Sequence, residues 1–258
     1  MPESRFEIHG AIATLTFDRP EARNALTWGM YDALLAACER VDAHPAVRVM
    51  IVRGEGDAFA AGTDIGQFRD FRTGEDGVAY ERRLDGALDR LEAVRCPTIA
   101  RVQGPAVGGG CAIALTCDLR VCTARARFGV PIARTLGNCL SISTCARLAN
   151  LIGPARVMDI ICTARLLDAA EAHALGLVTR LVDEAALDTA VDELAATIVH
   201  HAPLTMSTTK AMLRRLHAHQ RPPRDASDDL VARCYASADF HEGVEAFLAR
   251  RPPQWRGE

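Results

Sequence analysis

Residues 107–118 read VGGGCAIALTCD, three consecutive glycines entering an apolar, helix-like run that ends at Cys117-Asp118. Glycine in a helix interior costs roughly 1 kcal/mol relative to alanine, so three of them mark a sharp turn or a place where another group must come close to the backbone. A second loop of the same kind, Ala60-Ala61-Gly62-Thr63-Asp64, comes shortly after the β-branched stretch Val47–Arg53. Both loops follow predicted strands and lead into predicted helices. A backbone N–H at a helix start lacks an intrahelical partner and sits at the positive end of the dipole. Two such N–H groups converging from separate loops would hold an oxyanion. Tight turns alone would also account for the glycines. No Gly-Lys-Ser/Thr follows, which excludes a Walker loop, and the clustered spacing is unlike the GxGxxG dinucleotide fingerprint.

The surrounding pattern is that of an α/β protein. Arg5–His9 and Ala11–Phe17 alternate with period two and turn at Gly10, as paired strands do. Thr27 is a predicted cap for an amphipathic helix running to about Val41. Thr98–Val102 and Leu119–Cys122 read as strands on either side of the triple-glycine turn. The βαβ rhythm predicts a parallel-leaning sheet with its site at the carboxyl ends of the strands. Residues 65–78, IGQFRDFRTGEDGV, are polar and broken by glycines, and predict a flap. Tyr80–Val94 predicts a charged helix. Beyond about Leu140 the chain reads as mostly helical, with a short strand at Val178–Val182 and breaks at Pro203 and Pro222-Pro223. The expected division is a core over 1–194 and a helical subdomain over 195–258.

Composition narrows the function. A formal charge of −3 over 258 residues leaves no basic field for nucleic acid or an anionic membrane. Nine scattered cysteines without a CxxC pair suit reduced thiols, and no apolar stretch approaches a membrane span, so a cytoplasmic protein is expected. His217-Ala218-His219 is the one HxH, and its members point to opposite sides of a predicted helix, so no metal is expected.

An ordered series of motifs then becomes specific. It runs from Asp18-Arg19-Pro20-Glu21-Ala22-Arg23-Asn24-Ala25-Leu26 through Asp57-Ala58-Phe59-Ala60-Ala61-Gly62-Thr63-Asp64-Ile65 and Cys96-Pro97-Thr98-Ile99-Ala100. Gly104 through Asp118, Ala126-Arg127-Phe128-Gly129, Ala169 through Val178 and Glu242 through Leu248 follow. With these motifs, spread over nearly the whole chain, the sequence resembles the crotonase (enoyl-CoA hydratase/isomerase) superfamily. The resemblance implies a crotonase-type ββα superhelix core with C-terminal helices that associate into homotrimers or homohexamers. It also implies an acyl-CoA substrate, no cofactor beyond the coenzyme A of that thioester, and a thioester enolate held by two backbone N–H groups.

By motif position those donors are Thr63 and Gly109. Arg23, Ala61, Gly62, Thr63, Asp64, Gly108 and Gly109 would contact CoA, and Ala112, Ile132, Asn138, Cys139 and Ser141 would line the acyl pocket. The pattern departs from the family at the two positions where hydratases carry glutamates, which here are Ala112 and Ile132. Neither can move a proton, and no Asp or Glu occurs between Asp118 and Asp159. Hydration therefore loses both of its usual groups. The helix before the glycine strand offers Asp85, at a position where one branch of the family has a pocket-facing histidine, although its charge-rich surroundings also suit a solvated side chain. The expectation is an acyl-CoA enzyme other than an ordinary hydratase (an isomerase, lyase, thioesterase or decarboxylase), with a non-catalytic acyl-CoA binder as the alternative. Asp64 is expected to cap a helix, Asn138 and Ser141 to bond substrate or cap a loop, and Cys139 to be a small packed residue.

Overall fold

A computed structural model describes residues 2–220 and 222–258 of the chain. Its first motif is the expected antiparallel pair, β1 (Ser4–His9) and β2 (Ile12–Phe17), turning at Gly10 with φ +59°. Strands β3 (Val49–Gly54), β4 (Thr98–Val102), β6 (Leu119–Thr123) and β9 (Arg180–Val182) extend it in parallel, giving a six-stranded sheet of order β1-β2-β3-β4-β6-β9. A small second sheet joins β5 (Pro105–Val107), β7 (Arg127–Gly129) and β8 (Leu167–Asp168). The sheet is covered on both faces, so β3 reads as the unbroken apolar run VMIV instead of an alternating one. Met50 and Val52 face the main core, whereas Val49 and Ile51 pack with Leu187, Val191 and Ala195 of helix α8 (Leu187–His200). The division expected at residue 194 falls inside that helix.

The main core is built by α1 (Trp28–Ala43), α2 (Gly74–Glu92) and α3 (Gly109–Thr116). Thr27 caps α1 as expected, its side chain accepting from Met30 N at 3.3 Å. Further along come α4 (Ile132–Thr135), α5 (Ile142–Ile152), α6 (Pro154–Thr163) and α7 (Ala169–Ala174). After α8 the chain continues with α9 (Pro203–Gln220), α10 (Asp228–Tyr235) and α11 (Ala238–Leu248).

The stretch 65–78 differs from the flap its glycines suggested. Ile65–Phe68 forms a 3₁₀ turn, and α2 begins already at Gly74 behind a Thr73/Asp76 capping box. Buried Phe68 sits 4.9 Å from the Tyr80 ring and 6.0 Å from that of Phe240, so aromatic packing fixes the segment. The glycines are contact points: a Cβ on Gly74 would lie 2.4 Å from the Ala232 carbonyl oxygen of α10.

Buried Arg120 on β6 ties the end of α3 to the rest of the fold. Its guanidinium donates to the carbonyls of Cys117 and Leu177 and, at 3.2 and 3.3 Å, to those of Ala114 and Leu115. The last carbonyls of a helix have no intrahelical donor, and here an arginine satisfies them. Arg120→Leu strands several buried acceptors and is expected to lower stability by at least about 2 kcal/mol, read as a fall in the urea midpoint.

Candidate active site

The two glycine loops lie against each other. Ala60 and Ala106 form a parallel bridge, with Val107 N donating to Ala60 O at 3.0 Å. A Cβ on Gly62 would lie 3.3 Å from Val107 O, and one on Gly108 3.5 Å from the Gly62 Cα. Gly62 and Gly108 hold φ of +106° and +55°, conformations that side-chain-bearing residues rarely adopt. Leu26 then orients the first loop: its N–H donates to Gly62 O at 2.7 Å and its carbonyl accepts from Asp64 N at 2.9 Å. That bridge turns the backbone groups of the intervening Thr63 to the opposite side. Among the described residues, neither the Thr63 nor the Gly109 N–H has a backbone acceptor.

The Thr63 side chain is pinned from behind. Its Oγ1 lies 2.7 Å from Tyr31 Oη and 2.9 Å from Tyr80 Oη. Burial raises the pKa of both phenols above the ordinary value, so they act as neutral hydrogen-bonding groups. At the mouth, Asp64 caps the 3₁₀ turn by accepting from Gly66 N at 2.9 Å and is paired with Arg19 at 2.6 Å. Asn24 completes the support, its Nδ2 donating to the carbonyls of Glu55 and Ala58 at 2.8 and 2.9 Å.

These loops open onto a cavity of about 390 Å³. One carboxyl in its wall has no cation against it among the described residues: Glu81 of α2, 4% exposed. Glu81 Oε1 accepts from Tyr235 Oη at 2.6 Å and Oε2 accepts from Ser141 N at 3.2 Å. Burial, with a smaller contribution from the charge of Asp85, pushes its pKa up to about 8. The two hydrogen bonds oppose the rise without cancelling it. At neutral pH Glu81 is therefore mostly a carboxylic acid, able to give a proton and, once ionised, to take one back.

The whole stretch 7–258 matches the family model described as enoyl-CoA hydratase/isomerase. The chain belongs to the enoyl-CoA hydratase/isomerase family. A probable enoyl-CoA hydratase of Mycobacterium bovis is 34% identical over 250 residues, covering 95% of this chain and 94% of that protein. Among solved structures, an enoyl-CoA hydratase/carnitine racemase from Magnetospirillum magneticum is similar at 36% identity and TM-score 0.81, covering 100% of this chain and 97% of that one. A methylmalonyl-CoA decarboxylase in complex with 2-nitronate-propionyl-CoA is similar at 25% identity and TM-score 0.90, covering 99% of both chains. This member of the hydratase/isomerase family is an enzyme with the crotonase fold.

Most of the residues singled out in the sequence converge on the cavity. Ala61, Gly62, Thr63, Asp64, Gly108, Gly109, Ala112, Ile132, Asn138 and Cys139 all line it. Arg23 does not: it is exposed, and its neighbours Ala22 and Ala25 form the wall instead. Ser141 lies behind the wall as the cap of α5, accepting from Thr144 N at 3.1 Å. Asp85 is the main correction. It is 3% exposed, which rules out a solvated side chain, and it lies outside the cavity wall, accepting from Ser141 Oγ at 2.8 Å with Arg147 at 3.6 Å. The carboxyl of α2 that lines the cavity is one turn earlier, at Glu81, which the sequence reading missed. Its signal was spacing: Val78, Glu81, Leu84, Asp85 and Leu88 share the buried stripe of α2, where a charged residue needs a reason to be. Cys139 is partly buried, and its thiol pKa is raised, so it is not an activated nucleophile. Among the described residues no cluster of His, Cys, Asp and Glu could hold a metal, and no helix is long and apolar enough to cross a membrane.

Proposed function

We propose that this enzyme forms an enolate from an acyl-CoA thioester at the N–H groups of Thr63 and Gly109, with Glu81 as the group that moves the proton. Ionised Glu81 takes a proton from an acyl carbon, the electron pair passes to the thioester oxygen between the two N–H groups, and the resulting acid returns the proton at another acyl carbon. One carboxyl is sufficient for such a shift of a double bond. Syn addition of water uses two groups, and by the resemblance Ala112 and Ile132 would stand at the positions where hydratases of the family carry them. The observation that carries this reading is the buried Glu81, without a cation against it among the described residues, in the wall of the cavity onto which the two glycine loops open. Its raised pKa sets the direction of the pH dependence. Only about a tenth of Glu81 is ionised at pH 7 if its pKa is about 8, so proton abstraction should rise with pH and level off above about 8. Conversion of 3-hexenoyl-CoA to 2-hexenoyl-CoA is the test, run beside hydration of crotonyl-CoA. Hydration as fast as isomerisation, or an isomerisation rate that does not change between pH 6 and 9, would count against the reading.

A second reading, decarboxylation, is supported by the likeness to methylmalonyl-CoA decarboxylase at TM-score 0.90, against 0.81 for the hydratase/racemase structure. Loss of carbon dioxide leaves an enolate at the same two N–H groups and needs no base. Neutral Glu81 would then deliver the proton, so this activity should fall as pH rises through about 8. Release of carbon dioxide from methylmalonyl-CoA, with that opposite pH trend, separates the two.

A further inference from the structure

Helix α10 stands apart from the glycine loops in sequence, yet it is seated directly on α2. A Cβ on Gly74 would lie 2.4 Å from the Ala232 carbonyl oxygen, and one on Gly77 would lie 2.1 Å from Tyr235 Cγ. Gly74 and Gly77 are three apart on α2, as Ala232 and Tyr235 are on α10, so the two helices meet along matching turns. Glycine at 77 leaves room for the Tyr235 ring one turn before Glu81. The ring is fully buried, and its hydroxyl ends 2.6 Å from Glu81 Oε1. Asn138 Nδ2, from the loop beyond α4, donates to the same Tyr235 Oη at 2.9 Å. A phenol has one proton. With Asn138 donating into its oxygen, that proton is directed at Glu81.

We infer that Tyr235, oriented by Asn138 and carried by α10, is a positioning residue that fixes the Glu81 carboxyl and stabilises its ionised form. The inference rests on Glu81 as the proton-moving group only for its catalytic consequence, since the hydrogen bonds hold whatever the substrate. The other groups around Glu81 do not take this role. Tyr80 and Asp85 share its helix, and Asp85 is occupied by Ser141 and Arg147. Among the described residues, Tyr31 of α1, Cys139, Cys145 of α5 and Cys234 of α10 make no hydrogen bond to Glu81. Among the described residues, Ser141 N is the one other donor, on the opposite oxygen. Asn138 Oδ1 is buried without a hydrogen-bond partner among the described residues, which suits an amide held by its Nδ2 end. A C-terminal helix thus becomes part of the site, and the carboxyl is set for chemistry only when α10 is docked.

An infrared titration of the intact protein reads this directly, with the protonated-carboxyl band of Glu81 assigned by its absence in Glu81→Gln. A hydrogen bond to a charged acceptor that is lost from the ionised form raises the pKa, so Tyr235→Phe should move the Glu81 midpoint up by roughly one to two pH units. The 3-hexenoyl-CoA isomerisation rate should then fall about 10–100-fold near pH 7, recover toward the wild-type value as pH rises, and leave KM unchanged. A merely structural role would lower the rate equally at every pH. Asn138→Ala removes the orienting donor and should shift the midpoint in the same direction by less, which gives a second measurement if Tyr235→Phe is poorly folded. An unchanged midpoint in the folded variants overturns the inference. Full isomerisation activity in Glu81→Gln would overturn the catalytic reading instead, and the infrared midpoint would still decide the role of Tyr235.

Discussion

Replacing Glu81 with glutamine is expected to lower acyl-CoA proton transfer by about 10²–10⁴-fold, the usual contribution of a positioned acid or base, with little change in KM. Glutamine keeps the size of the side chain and an oxygen for Tyr235, so packing against α10 should survive. The same variant carries a stability signature of opposite direction. In the folded protein the Glu81 pKa is raised from an ordinary carboxylate value to about 8. Folding therefore favours the protonated form, and the associated stability is fully present below the unfolded pKa, near 4.3, and is lost as pH rises through about 8. Glutamine cannot ionise and escapes that loss. Glu81→Gln should thus match the wild type in thermal midpoint near pH 4 and exceed it near pH 9. A variant that loses activity without gaining relative stability at high pH would mean that Glu81 is not the buried acid described here.

The main-chain architecture was readable because its signals are local. Period-two alternation located β1 and β2, the β-branched run located β3, and Thr27 marked the start of α1. The glycine loops were readable for a related reason: backbone that must come close to a ligand or adopt positive φ leaves glycine in the sequence. What could not be read locally was the environment of α2. Its window ERRLDGALDRLE looks solvated because charges on a helix normally face water. Glu81 is buried instead because Tyr235, 154 positions away, packs onto the neighbouring turn. Asp85 is buried by the same inward stripe, yet it is turned toward Ser141 and Arg147. The position matched to the histidine of one family branch fell on the buried face of the correct helix, one turn away from the cavity. Residues 65–78 failed for a similar reason, since Gly74 and Gly77 break no helix and instead admit α10.

Gly109→Ala is the complementary expectation, directed at the oxyanion side. A Cβ there would lie 2.4 Å from Tyr31 Oη and 3.2 Å from Thr63 Oγ1. Tyr31 is buried and bonded to Thr63, so the methyl group cannot be accommodated without displacing the two groups that hold the first loop in place. On the proposed reading, the N–H groups of Thr63 and Gly109 would then no longer serve one oxyanion. Loss of one oxyanion donor typically costs 10²–10³ in rate, and a fall of that order in kcat is expected, nearly independent of pH because no titrating group is removed. Thr63→Ala retains the N–H and loses only its two side-chain hydrogen bonds, so its fall should be smaller. Gly110→Ala supplies the contrast. Its Cβ would meet Ala60 backbone, 2.3 Å from the carbonyl oxygen, and backbone cannot swing aside as a side chain can. That variant should lose folding stability, whereas Gly109→Ala should remain folded, bind acyl-CoA and turn it over slowly. If Gly109→Ala kept its kcat, the two glycine loops would be a device of packing alone, and the enolate would have to be held elsewhere in the cavity.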